Sequence, residues 1–154
     1  MAFTLVPSRE TPARARPTLR TLAAAGRAPE KVRRSSETGR RELIRVVERQ
    51  LEALRKNDYV LAFTFASSRL HDQFTASGFR QMMQTGYPII NWSRAAEFGA
   101  SYDDEEEALL GVAVTGESGE TRYYQYLFQR EGKDWKIAGV VEQRPHPEKA
   151  RTKP

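Results

Sequence analysis

"TRYYQYLFQREGKDWKIAGVVEQ", residues 121–143, decides the fold class. Successive side chains of an extended chain point to opposite sides, so Arg122, Tyr124, Tyr126 and Phe128 share one face while Tyr123, Gln125, Leu127 and Gln129 share the other. The run is rich in aromatic and branched residues, and Glu-Gly-Lys-Asp at 131–134 divides it into two strands joined by a turn. "RAAEFGASY" (94–102) and "EALLGVAVTG" (107–116) carry the same alternation, with turn clusters at 103–106 and 116–120. Four strands in succession predict an antiparallel meander.

Before residue 93 the period is helical. In "SSETGRRELIRVVERQLEALRKND", Leu43, Ile44, Val47, Leu51 and Leu54 fall on one face and charged residues on the other, which predicts an amphipathic helix. Ser35, Ser36 or Thr38 can cap its start, and Asn57-Asp58 interrupts it. Asp58 can cap a second helix, "DYVLAFTFAS", apolar on nearly every side and so expected in the core. A third is predicted at "GFRQMMQT", with Ser77 as cap and Phe79, Met82 and Met83 at i, i+3 and i+4. Pro88 forces Tyr87 out of helical geometry and ends it. Helices first and a sheet after read as α+β.

Three phrases carry a resemblance: Ala62-Phe63-x-Phe65-Ala66-Ser67, Phe79-x-x-Met82-x-x-x-Gly86-Tyr87-Pro88, and Trp135-x-Ile137-x-Gly139-Val140. Over residues 42 to 143 the chain resembles the bacterial domain of unknown function 4864, a branch of the nuclear transport factor 2-like superfamily. The resemblance implies a cone, with N-terminal helices inside a strongly curved antiparallel sheet, often with a pocket and often dimeric through the sheet. Its relatives usually begin with an apolar secretory signal, which this Arg-rich start does not match.

The net charge of +5 does not belong to the predicted folded body. Residues 1–41 hold nine Arg and one Lys against three Glu, a net +7, and residues 144–154 carry a net +3. Residues 42–143, with 11 basic and 16 acidic side chains, carry −5. A basic groove on that body is therefore not expected, nor nucleic-acid binding by it. The proline- and arginine-rich segment 1–39 and the segment 145–154 lack a periodic apolar face and read as disordered tails around a domain at 40–144. Without cysteine there is no thiolate chemistry, and no apolar run reaches the roughly 20 residues that span a bilayer. A soluble, cytoplasmic protein is expected, with organellar import through the Arg-rich start as the alternative.

Candidate chemistry is sparse. His71-Asp72 is the first pair to weigh, but adjacent helical residues point about 100° apart and do not face one pocket together. They read as surface residues. Asp103 to Glu107 reads as a solvated hairpin tip, lacking the alternating ligands and turn glycine of a calcium loop. No metal or cofactor is expected. The more informative set is Tyr59, Phe63, Phe79, Met83, Tyr87, Trp92, Tyr124 and Tyr126, placed where helices and sheet should meet. Close-packed, they are core; around a cavity, they would form an apolar wall with a few hydroxyls. The expected function is a non-catalytic module binding a small apolar ligand or a protein partner, with a homodimer through the sheet. The alternative is an isomerase, dehydratase or hydrolase using Asp58, Asp72 or Glu142 with a tyrosine.

Overall fold

A computed structural model describes residues 32–144. The chain runs β1 (Arg33–Arg34), α1 (Glu37–Arg55), α2 (Tyr59–Thr64), α3 (Ser68–Gln73), α4 (Ala76–Gly86), α5 (Pro88–Asn91), β2 (Ser93–Asp103), β3 (Glu107–Gly116), β4 (Thr121–Glu131) and β5 (Asp134–Gln143). The α+β class is as expected. The sheet is antiparallel in the order β1-β2-β3-β4-β5 among the described residues, one strand more than the predicted meander.

The extra strand is two residues long, pairing Arg33 with Asp103 and Arg34 with Tyr102. The fold therefore begins before the expected boundary at residue 40: Ser36 caps α1, its hydroxyl accepting from the Gly39 amide at 3.0 Å. The remainder of the expected tails, 1–31 and 145–154, lies outside the described residues.

Helix α1 buries Leu43, Val47, Leu51 and Leu54 almost completely, as its period predicts. Each contributes about 1.5–3 kcal/mol by leaving water. The helix touches β2, β3 and β5. Strands β2 and β5 stand three strand spacings apart, about 14 Å. A helix only about 10 Å across can contact both only if the sheet curls around it. Register shifts at Phe98/Ser101 in β2–β3 and Leu127/Phe128 in β4–β5 supply irregularities of the kind that bend strands.

Two arginines of α1 fix it along β2. Arg40 donates from Nε to the Gly99 carbonyl and from Nη2 to the Phe98 carbonyl, both at 2.9 Å, and Arg55 Nε donates to the Ser93 carbonyl at 3.0 Å. At the far edge, Ile137 N donates to Phe65 O and Ser67 N to Ile137 O, both 2.8 Å, around a parallel bridge between Ala66 and Ile137.

The segment 58–91 departs most from expectation. Asn57, at φ 58°, ends α1, and Asp58 caps α2 through a 3.0 Å bond from the Leu61 amide. The predicted second helix stops at Thr64 rather than Ser67, and Val60 is 69% exposed. Its outer side faces water despite being apolar. Ser67 instead caps α3, and Thr75, not Ser77, caps α4 by accepting from Gly78 N at 3.0 Å. Pro88 ends α4 as predicted, and its fixed φ then opens α5 from the first helical position.

Candidate functional site

The inward face of the sheet is settled by burial: Ala108, Leu110, Val112 and Val114 alternate with half-buried neighbours along β3, and Tyr124, Tyr126 and Phe128 lie opposite them on β4. Helices α1 and α5 pack against the sheet, and α2 and α4 pack on those helices. An apolar cavity of about 30 Å³ lies here.

Four of the eight expected pocket residues line it: Phe79, Met83, Tyr87 and Tyr126. Leu70, Ile90, Ile137 and Val140 complete much of the wall, and Gln50 adds an amide whose Nε2 donates to Ala62 O at 3.1 Å. The other four expected residues lie elsewhere. Phe63 stacks on Phe79 with ring centroids 4.9 Å apart, as part of the packed core. Tyr59 donates its hydroxyl to Asn91 Oδ1 at 3.0 Å and accepts from Gln84 Nε2 at 3.3 Å. Tyr124 is buried beside Arg122 and Glu142, away from the cavity; burial foremost, and then the Glu142 charge, push its phenol well above the ordinary range. Trp92 is 40% exposed at the end of α5 and lines nothing inside.

The Tyr126 hydroxyl is one of several buried polar atoms without a partner, with Asn91 Nδ2, Ser93 Oγ and Ser101 Oγ. It is fully buried, belongs to a residue that lines the cavity, and has no hydrogen-bond partner among the described residues. Burial raises its phenol far above the normal titration range, so the group stays neutral. An unsatisfied buried hydroxyl costs about 1–3 kcal/mol. Tyr126→Phe should therefore leave stability unchanged or raise it by about 1 kcal/mol. Tyr59→Phe, which strands Asn91 Oδ1, should lower it by about 1–2 kcal/mol. Paired denaturation curves test this contrast, and a loss in Tyr126→Phe equal to that in Tyr59→Phe would show a hidden partner for Tyr126.

None of the candidate acids reaches the cavity. Asp58 is the α2 cap, Asp72 is exposed on α3, and Glu142 meets Arg122 at 3.3 Å on the surface. His71 is exposed yet has a structural task that sequence reasoning missed. Its Nε2 donates to Phe63 O at 2.7 Å and its ring stacks on Phe63 at 3.8 Å, so it ties α3 to α2. Asp104, in the acidic turn, accepts from the Glu106 and Glu107 amides at 3.0 and 2.9 Å and so shapes its own loop.

A larger concavity of about 530 Å³ opens outside the core, between α1 and the turn joining β4 to β5. Arg41, Arg45 and Arg49 line one side, Lys133 and Lys136 the other. The expectation of no basic groove fails here. A net charge of −5 is a sum over the body and places no individual charge; helical spacing gathers three arginines on one side of α1, while five of the acids cluster at 103–107.

A family model for a domain of unknown function, DUF4864, matches residues 36–150. The chain belongs to that family. The match begins at Ser36, the residue that caps α1, so this DUF4864 domain includes the whole of that helix. No curated protein and no solved structure matches the chain.

Proposed function

We propose that this DUF4864 domain is a non-catalytic protein-interaction module, built as the cone of the nuclear transport factor 2-like superfamily and paired with a second copy through the outer face of its sheet. The curl of the sheet around α1 supports the cone. The observation that carries the function is the contrast between the two faces of that sheet. Inside, about 30 Å³ of free volume is far below the roughly 300–1,000 Å³ of small-molecule sites, and no carboxylate lines it. Outside, the central block of Leu109, Ala113, Tyr123, Gln125 and Val141, with Leu127 buried among them, bears no charge, although the body as a whole is strongly charged. Tyr123 and Val141 are 48% and 43% exposed.

A second copy is the occupant that this pattern favours. Around a two-fold axis each residue approaches its own counterpart or a neighbour, so any charge in the block would meet its like. An uncharged block avoids that repulsion, and a central tyrosine supplies the kind of anchor that dominates interface energetics. Sedimentation of the intact chain should show a dimer at micromolar concentration. Tyr123→Glu combined with Val141→Glu should weaken it by about 100-fold or more, with near-ultraviolet dichroism unchanged. A wild-type chain that sediments as a monomer at about 100 μM, well above the micromolar range of specific association, sinks the reading.

The unpaired Tyr126 hydroxyl supports a second reading, in which the inner cavity takes a very small apolar ligand with one polar atom. At its present volume the cavity has room only at the scale of a water molecule.

A further inference from the structure

Helical residues four apart lie on one face and rise about 6 Å, so Arg41, Arg45 and Arg49 form a row about 12 Å long. Like charges at that spacing repel. Among the described residues, only Arg41 has an acidic partner, Glu37 at 3.3 Å, and that pair is largely exposed and weak. Arg45 and Arg49 make no hydrogen bond or ion pair there, so their guanidinium forks stand ready for a ligand. Facing them, Lys136 is held in place by a 2.9 Å bond from Nζ to Thr64 O, and Lys133 lies in the adjoining turn. Glu42 and Asp134 also line the groove, leaving five positive groups against two negative. Such a site discriminates against a single carboxylate and favours a ligand with several charges in a line.

We propose that this groove binds a linear oligophosphate, the chemistry shared by inorganic tripolyphosphate and a nucleoside triphosphate. Guanidinium forks match phosphate oxygens in pairs, and a volume of about 530 Å³ suits a ligand of that size. The groove reaches Thr38, and next to it a Cβ placed on Gly39 would stand 3.9 Å from Asp103 Oδ2, where the acidic turn of residues 103–107 begins. Base recognition has little to use: the Trp135 ring is covered by the Arg130 guanidinium at 4.1 Å, leaving the half-buried Phe65 as the aromatic surface.

Calorimetric titration of the intact chain at about 150 mM salt, near physiological screening, tests this with tripolyphosphate and with ATP. Both should bind saturably. Arg45→Gln combined with Arg49→Gln should weaken both by at least about 10-fold, as loss of two charge-assisted contacts implies, with an unchanged unfolding temperature. Similar affinity for the two ligands assigns the site to the phosphate chain; preference for ATP assigns it to the nucleotide. The strongly basic residues 1–41 attract the same anions, so Arg14→Gln, Arg16→Gln and Arg20→Gln together serve as a control and should change affinity less than about twofold. Identical isotherms for wild type and the groove variant, or a loss that follows the Arg14, Arg16 and Arg20 substitutions instead, overturn the proposal. So does tighter, groove-dependent binding of a single-stranded oligonucleotide, which would make the ligand a nucleic-acid backbone.

Discussion

Phe79→Ala should destabilise the fold by about 3–5 kcal/mol, toward the top of that range for an aromatic core deletion. Phe79 is 3% exposed, stacks on Phe63, and forms part of the wall of the small apolar cavity, so removing its ring enlarges an existing space instead of opening a sealed contact. The surrounding residues come from α1, α3, α4, α5, β4 and β5, and the β4–β5 part of the wall is held by backbone pairing and cannot move inward freely. Urea denaturation measures the loss. Because the enlarged space is apolar on nearly every side, benzene should restore part of the stability, as apolar ligands do in engineered dry cavities. A loss below about 1.5 kcal/mol would mean that the site collapses, contrary to a rigid interior.

Arg40→Ala should cost about 2 kcal/mol, although Arg40 sits at the rim of the fold. Its fork grips two successive carbonyls where β2 is irregular, and the bonds are charge-assisted at 2.9 Å. Without it, those carbonyls lose their donors and α1 loses its attachment at one end. Arg45→Ala on the same helix, exposed and without a partner among the described residues, is the control and should stay within about 0.5 kcal/mol of wild type. Arg40→Lys should recover less than half of the loss, since one ammonium cannot reproduce the planar fork. Equal unfolding midpoints for Arg40→Ala and Arg45→Ala would refute the claim that Arg40 anchors the helix.

The two elements with the longest unbroken periods were the most legible. Leu43, Val47, Leu51 and Leu54 announced α1, and the alternation through Tyr124, Tyr126 and Phe128 gave both the strands and their inward face. What resisted reading depended on distant partners. A run apolar on every side says nothing about which side meets the core, so the exposure of Val60 and Leu61 was invisible. Two arginines at 33–34 become a strand only because Tyr102 and Asp103 lie beside them. Aromatic placement marked the interior, yet whether those rings fill it is a matter of volume, which no spacing records. Summed charge likewise hid the local row of Arg41, Arg45 and Arg49.

The carbonyls along the outer margin of β2 are already engaged: Ser93 by Arg55, Phe98 and Gly99 by Arg40, and Ser101 by the Ser35 amide. The opposite margin, on β5, is engaged at Ile137 by Phe65 and Ser67. These contacts shorten the free edge that the sheet presents to an incoming strand, the usual route to peptide capture and to runaway edge-to-edge aggregation. In the proposed dimer, two copies that meet face to face on the flat of the sheet use up that surface, and growth stops at a closed pair.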